Sequence, residues 1–248
     1  MPKKTWGQRL TGLGFLAMCI SIALLIVVGP GHRFGIVPTG LAVLSSAAAT
    51  LIAVFAVLVT VIGLLVRDKD QPLRNGRVAL TLLLAGAVSL QLIGWIVKAT
   101  SVPQIHDITT DTADPPAFEA LASARANAAN PLAYAGEEAA EAQRTAYPDL
   151  ATQTFAGVSI AQAVSAAETA AKAMGFDPVI VTGGTVEATD TTFWYGYKDD
   201  VVVRVRDSAG TAVIDIRSKS RVGKSDLGTN AARIRNLQAA IAGELSGS

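Results

Sequence analysis

Three long stretches without a charged side chain constrain this sequence more than any other feature. They run from Leu10 to Val28, from Gly40 to Val66 and from Val78 to Val97, and each has at least 19 residues. A helix rises about 1.5 Å per residue, so each stretch is long enough to cross a hydrocarbon core of about 30 Å. A helix buried in a soluble protein is the weaker alternative, because the residues from Ala47 to Val66 show no polar face. The sequence therefore predicts three transmembrane helices.

The first stretch follows a basic N-terminus and could belong to a cleaved signal peptide. However, no A-x-A cleavage pattern closes it; it ends in Gly29-Pro30-Gly31, and two further apolar stretches follow. We therefore expect the first helix to remain in the protein.

The basic residues of the short loops predict the orientation. Seven basic residues lie before the first stretch or between the second and third stretches, whereas Arg33 alone lies between the first and second. These seven are Lys3, Lys4, Arg9, Arg67, Lys69, Arg74 and Arg77. The positive-inside rule then places the N-terminus in the cytoplasm and everything beyond Lys98 on the opposite side. The prediction is a multi-pass protein of the bacterial inner membrane with its C-terminal domain in the periplasm.

Residues 99–157 are rich in Ala, Pro, Asp and Thr and read as an irregular wrapping segment with short helices. Asp114-Pro115-Pro116 can open a helix that continues to about Arg125, and a second helix is expected around Tyr134 to Thr145. The only cysteine, Cys19, lies in the first stretch, so no intramolecular disulfide can form.

Residues 158–248 show the pattern of an α+β domain. Ser159 and Gln162 form a capping box at the start of an apolar-striped helix that Gly175 ends. Four strands follow and then a helix from about Thr229, which predicts a mostly antiparallel sheet with flanking helices. The strands are expected at Pro178 to Val181, Thr185 to Thr189, Val201 to Arg206 and Ala212 to Ser220. The chain thus divides into a transmembrane region (1–98), the wrapping segment (99–157) and a periplasmic core domain (158–248).

The stretch from Arg217 to Arg235 combines six basic residues in nineteen positions with two glycines and a helix start. These features are typical of an anion-binding site. The candidate residues are Arg204, Arg206, Arg217, Lys219, Arg221, Lys224 and Ser225. The favoured interpretation is cross-strand pairing with Asp215 on a solvated sheet face, and contact with an anion or a lipid headgroup is the alternative. A nucleotide-binding loop is not expected, because Ser218 stands where the phosphate-binding pattern needs glycine.

Four of the fourteen aromatic residues fall within Phe193-Trp194-Tyr195-Gly196-Tyr197. The favoured interpretation is that they plug one end of the sheet core. The alternative is an exposed patch that binds a partner or the membrane interface. Its candidate residues are Phe193, Trp194, Tyr195 and Tyr197.

Catalytic and metal chemistry have little support. His32 and His106 are the only histidines, so we expect no metal site and no cofactor, and nothing indicates a nucleic-acid partner. His106 and Asp107 are weak candidates for a catalytic pair, and Ser159 is better explained as a helix cap than as a nucleophile. No charged residue lies in the three stretches, which disfavours an ion transporter.

The chain also resembles a known family through a long ordered string of residues. The string includes Lys198-Asp199-Asp200, Ile214-Asp215-Ile216-Arg217-Ser218, Ser225-Asp226-Leu227-Gly228 and Arg233-Ile234-Arg235. It is similar to the bacterial and plastid family catalogued as domain of unknown function 1499. His106-Asp107-Ile108-Thr109-Thr110-Asp111, Tyr147-Pro148-Asp149 and Phe193-Trp194 resemble a subset with membrane helices in front. The resemblance implies a membrane-tethered or exported small domain and no particular activity.

These observations favour a non-enzymatic membrane protein whose outer domain binds a partner protein or an anionic ligand such as a lipid headgroup. One alternative is an accessory subunit of a larger membrane protein complex. Another is a periplasmic hydrolase-like enzyme that uses His106.

Overall fold

A computed structural model describes residues 5–67 and 75–247. The chain forms two compact units. The first contains the N-terminal helices together with Phe193–Gly196, and the second contains Lys98–Thr192 and Tyr197–Ser248.

The first unit confirms the three long apolar helices. They are α1 (Trp6–Arg33), α2 (Thr39–Leu65) and α3 (Asn75–Ser101), and each is long and apolar enough to cross a membrane. Four of the basic residues that predict the orientation, Lys3, Lys4, Lys69 and Arg74, lie outside the described residues.

Helices α1 and α2 approach each other closely at small residues. A side-chain carbon added at Gly14 would lie 2.0 Å from the Thr60 Oγ1 atom and 2.9 Å from the Ala56 carbonyl oxygen. The Ser21 hydroxyl donates a hydrogen bond of 2.7 Å to the Ala49 carbonyl. Small residues and hydroxyl groups are what allow two helices to pack closely in a lipid environment.

The second unit is an antiparallel sheet with helices, as the sequence predicts. Its strands are β1 (Asp107–Thr109), β2 (Gln153–Ala156), β3 (Val179–Thr182), β4 (Thr185–Thr191), β5 (Lys198–Ser208) and β6 (Thr211–Ser220). Its helices are α4 (Glu137–Ala146), α5 (Ile160–Ala173) and α6 (Thr229–Ser246). The strand order is β1-β6-β5-β4-β3, and β2 also pairs with β6.

One face of this sheet forms the hydrophobic core with α5 and α6. Ile108, Ile214 and Ile216 are fully buried there, against the alanine face of α5 and against Ile234 and Leu237 of α6. The Ser159 capping box at the start of α5 is present with both of its hydrogen bonds. Alternation along β6 then sends Asp215, Arg217 and Lys219 to the opposite face.

The structure differs from the sequence prediction in the wrapping segment. The helix expected from Asp114 to about Arg125 is wrong except for a single 3-10 turn at Ser123–Arg125. Backbone N–H groups in this stretch bind the Glu187 carboxylate instead of a helical carbonyl. The segment also supplies β1 and β2, so residues 99–157 complete the sheet of the core domain.

The aromatic segment does not plug the sheet core. Phe193–Gly196 belongs to the helical unit, and its side chains are absent from the described hydrophobic cluster between sheet and helices. There, the indole N–H of Trp194 donates to the Leu25 carbonyl at 3.0 Å, and the Tyr195 hydroxyl lies 2.8 Å from that of Ser46.

Candidate functional site

The polar face of the sheet carries an unusual density of buried charge. Five charged side chains of β1, β5 and β6 are at most 3 % exposed there. They are Asp107, Asp200, Asp215, Arg217 and Lys219. Because burying an unpaired charge costs several kcal/mol, the partners of these groups decide what the face can do.

Asp107 is the centre of the first ion-pair cluster. Arg217 donates to both of its carboxylate oxygens at 2.8 Å, and the Lys219 ammonium donates at 2.7 Å. Burial lowers the pKa of Lys219, while the neighbouring Asp107 carboxylate acts in the opposite direction. Both cations are thus held against one carboxylate in a site closed to solvent.

Two aromatic rings enclose the Arg217 guanidinium. Its central carbon lies 5.2 Å from the ring centre of Phe118 and 5.4 Å from that of Tyr134, which are cation–π distances. The guanidinium also donates to the carbonyls of Pro116 and Leu132 at 3.0 Å. Burial and the Asp107 charge raise the pKa of Tyr134 to about 12, so this phenol stays protonated at neutral pH. The wrapping segment therefore binds the sheet through Arg217.

Asp200 forms the second cluster. Arg221 donates to both of its oxygens at 2.8 Å, and Arg125 of the wrapping segment donates at 2.5 Å. The Thr189 hydroxyl adds a bond of 2.7 Å. Burial acts to raise the pKa of Asp200, but the hydrogen bonds from Arg221 and Thr189 and the nearby arginine charges outweigh it, so the pKa is lowered.

Asp215 forms the third cluster at the more open end of the face. Arg204 and Arg206 donate to its Oδ2 atom at 3.1 and 2.6 Å, and Thr152 donates to Oδ1 at 2.5 Å. Arg204 also donates to the Asp114 carboxylate at 2.9 Å. This is the cross-strand pairing with Asp215 that the sequence favoured, although Asp215 itself is buried and does not lie on a solvated face.

Glu187 of β4 holds the wrapping segment and forms no salt bridge with any of the described residues. Its carboxylate accepts hydrogen bonds from the backbone N–H groups of Glu119, Ala120 and Leu121 at 2.8 to 2.9 Å. Consecutive N–H groups aimed at one carboxylate form an anion-binding concavity. Here a side chain of the protein itself occupies that concavity.

Comparison with known families shows to which family this chain belongs. A family model described as protein of unknown function, domain of unknown function 1499, matches residues 107–241, more than half of the chain. The chain belongs to this family. No curated protein and no solved structure matches it.

The residues that carry the family resemblance are called the family signature. Many of them contact one another. Asp107, from the stretch that resembles the membrane-anchored subset, binds Arg217 of the string, and Asp200 of the string binds Arg221. Asp149 accepts two hydrogen bonds from Arg235, which also lies 5.4 Å from the ring centre of Tyr147. Arg233 joins Asp190 and Asp199. Residues through which this chain resembles the family thus form ion pairs with one another in the folded domain.

The seven candidate anion-binding residues are distributed unequally. Five of them, Arg204, Arg206, Arg217, Lys219 and Arg221, bind carboxylates of the same domain. Lys224 is exposed in the loop before α6, and Ser225 accepts the Leu227 N–H at 3.2 Å. The role of these residues in binding an external anion stays a prediction.

The helix start that the sequence proposed for an anion already carries a carboxylate. Asp226 accepts hydrogen bonds from the N–H groups of Gly228 and Asn230 at 2.9 and 2.8 Å. Gly228 adopts φ of 78°, which favours glycine at this tight entry into α6. Burial raises the pKa of Asp226. Its carboxyl group fills the position that a bound phosphate would take.

His106 and Asp107 point into different surroundings. The Asp107 carboxylate belongs to the first ion-pair cluster, whereas His106 lines a groove beside α4 with Ile105 and Glu138. The His106 carbonyl accepts hydrogen bonds from the Ser220 N–H and the Asn230 amide. Adjacent residues on an extended chain point to opposite sides, which separates the two side chains of the candidate pair.

The four aromatic candidates also separate. Phe193, Trp194 and Tyr195 belong to the helical unit, where Phe193 is 84 % exposed. Tyr197 belongs to the sheet unit, where its backbone pairs with Thr192. Their role in partner binding stays a prediction.

The sequence analysis missed four residues that build the polar face: Phe118, Arg125, Tyr134 and Glu187. Three lie in the wrapping segment, where no periodic pattern marks them. Glu187 could have been identified from the sequence. It is a lone acid between Val186 and Ala188 in a predicted strand, and a buried acid needs a hydrogen-bonding partner.

Proposed function

We propose that this protein is a non-catalytic, multi-pass protein of the bacterial inner membrane whose periplasmic domain binds a protein partner through an acidic groove beside α4. The loop charges support the orientation, since seven basic residues flank the proposed cytoplasmic ends. The groove supports the binding role.

Two adjoining cavities of about 490 and 410 Å³ form this groove. The stretch from Thr100 to His106 lines one side and α4 lines the other, and the two cavities share Glu138 and Ala142. Glu138 and Glu141 are exposed on it, and in the part of the chain that the structure describes neither carboxylate forms a salt bridge. A groove with mixed polar and apolar lining and two exposed carboxylates fits a basic segment of a partner protein.

The charge distribution favours a basic protein over an anionic headgroup. Residues 99–248 contain 18 acidic and 12 basic residues. Five of the seven residues first considered for an anion already bind internal carboxylates. The domain therefore presents a net negative surface, which repels anionic lipids and attracts a cationic partner.

The test is site-specific photo-cross-linking of the full chain in native membranes. A photoreactive amino acid replaces Thr145, which lies in the groove, and the control replaces Thr169, which lies in a separate groove on α5. We expect a defined protein adduct from position 145 and none from position 169. The double variant Glu138→Lys with Glu141→Lys is expected to abolish the adduct from position 145.

An adduct that survives the charge reversal, or that forms equally from both positions, would contradict the proposal. A parallel measurement follows amide exchange of residues 217–228 in nanodiscs with and without anionic lipid. Protection that depends on anionic lipid would instead favour the headgroup interpretation.

A further inference from the structure

Gln91 is a polar side chain deep in the third transmembrane helix. The uncharged stretch from Val78 to Val97 has its midpoint between Ala87 and Val88. At about 1.5 Å per residue, Gln91 lies about 5 Å along the axis from that midpoint. The amide is therefore inside a hydrocarbon core whose half-thickness is about 15 Å.

The Gln91 amide has no partner among residues 5–67 and 75–247. Its side chain is exposed and makes no hydrogen bond within that part of the chain. The nearby Ser89 differs, because its hydroxyl donates to the Ala85 carbonyl of its own helix at 2.7 Å. Lipid tails offer neither donors nor acceptors, so an unpaired amide at this depth is costly.

The helix face on one side of Gln91 is open and carries small residues, whereas Val88 and Trp95 lie on its other side. Ala87 and Gly94 lie four residues before and three residues after Gln91, which places them on the same face. Both are exposed, and a side-chain carbon added at Gly94 would meet no atom within 4 Å. Thr81 and Ala85, the described residues of α3 that are buried, lie toward its beginning. A second helix could therefore approach the Gln91 face closely.

We infer that this face pairs with α3 of a second copy of the same chain, in a dimer with two-fold symmetry. A glutamine amide carries both a donor and an acceptor. Two identical helices related by a two-fold axis can therefore exchange reciprocal hydrogen bonds between their Gln91 amides. A single charge would not complement itself in this way. The flanking Ala87 and Gly94 allow the backbones to come within reach.

Energy transfer between donor-labelled and acceptor-labelled full-length chains in neutral phosphatidylcholine vesicles tests this inference. We expect transfer that rises with protein density in the membrane. The variant Gln91→Leu should weaken association by about tenfold, which corresponds to two modest interhelical hydrogen bonds. Gln91→Asn should retain most of the association, and the control Ser89→Ala should retain all of it.

Far-ultraviolet circular dichroism of each variant verifies that the helices remain folded, which a Leu on a lipid-facing position should not disturb. A wild-type chain that stays monomeric at all densities would overturn the inference. Equal association of wild type and Gln91→Leu, or equal weakening by Ser89→Ala, would do the same. Cross-linking in native membranes that shows α3 paired with a different membrane protein would assign the face to that protein. It would overturn the inference that a second copy of the chain binds there.

Discussion

At the scale of the residue, shared partners explain how one face of a sheet can bury so many charges. Asp107 serves both Arg217 and Lys219, and Asp200 serves both Arg125 and Arg221. Each carboxylate thereby offsets the desolvation of more than one cation, and backbone carbonyl groups accept further hydrogen bonds from Arg217 and Lys219. Removal of a shared carboxylate would leave two buried cations without that partner, and an uncompensated buried charge typically costs about 3–5 kcal/mol.

The Asp200 cluster predicts a specific dependence of stability on pH. Its pKa in the folded domain is lowered below 3.8, so its stabilising contribution is complete above that value and is lost as the pH falls through the folded-state pKa. Asp200→Asn should therefore be less stable than wild type at neutral pH, with a difference that narrows in acid.

Amide exchange of β5 in the full chain, corrected for intrinsic rates between about pH 3 and pH 7, measures this difference. A gap that stays constant over the whole range would show that Asp200 is not held ionised by its arginines. Asp226 has the opposite effect on the pH dependence of stability. Burial raises its pKa, so protonation in acid removes the free-energy cost of burying its charge. Asp226→Asn therefore serves as a control with a different pH profile.

At the scale of the element, local sequence patterns were sufficient to predict the helices and strands whose stabilising contacts are local. The apolar stretches gave α1 to α3, the Ser159 capping box gave the start of α5, and alternation gave β3 to β6. The polar side of β6 was also predictable, because Arg217 and Lys219 alternate with Ile214, Ile216 and Ser218.

The remaining elements depend on distant partners and could not be predicted. Strand β1 has three residues and forms because Asp107 lies opposite Lys219, more than a hundred positions away. The stretch after Asp114 carries helix-starting residues, yet its N–H groups bind Glu187 in another strand. The sequence could favour ion pairing of the signature residues but could not exclude ligand binding, because charge and spacing are the same in both cases.

Glu187 provides a prediction for the wrapping segment. In Glu187→Gln one acceptor oxygen remains, so at least one of the three backbone bonds from residues 119–121 is lost. Hydrogen bonds to a charged group contribute about 1.5–3 kcal/mol. We expect the amides of residues 119–125 to exchange about 10- to 100-fold faster, while those of α5 stay unchanged.

The matched control is Glu168→Gln, which removes a carboxylate that is paired with Lys172 on the solvent side of α5. It should change exchange in the wrapping segment by less than about twofold, as exposed pairs contribute little. Equal exchange of wild type and Glu187→Gln in residues 119–125 would refute the anchoring role of Glu187.

At the scale of the whole molecule, the chain joins three helices that are long and apolar enough to cross a membrane to a domain that belongs to the family. The proposed orientation predicts that a reporter active only in the periplasm is active when it is fused after Ser248. The same reporter fused within residues 68–74 should be inactive, since two crossings return the chain to the cytoplasm. An inactive C-terminal fusion or an active loop fusion would reverse the proposed topology.

The central claim is that the charges of the family signature stabilise the domain by pairing with one another. A double-mutant cycle on Asp107→Asn and Arg217→Met, measured by amide exchange of β6 in the full chain in nanodiscs, tests it most directly. We expect Asp107→Asn to lose about 3–5 kcal/mol, because it leaves two buried cations without their carboxylate, and Arg217→Met to lose less, because Lys219 still pairs with Asp107. The double variant should lose clearly less than the sum of the two single losses, because the two side chains act as one unit. Losses that add within about 0.5 kcal/mol would show that the two residues act independently and would contradict the account.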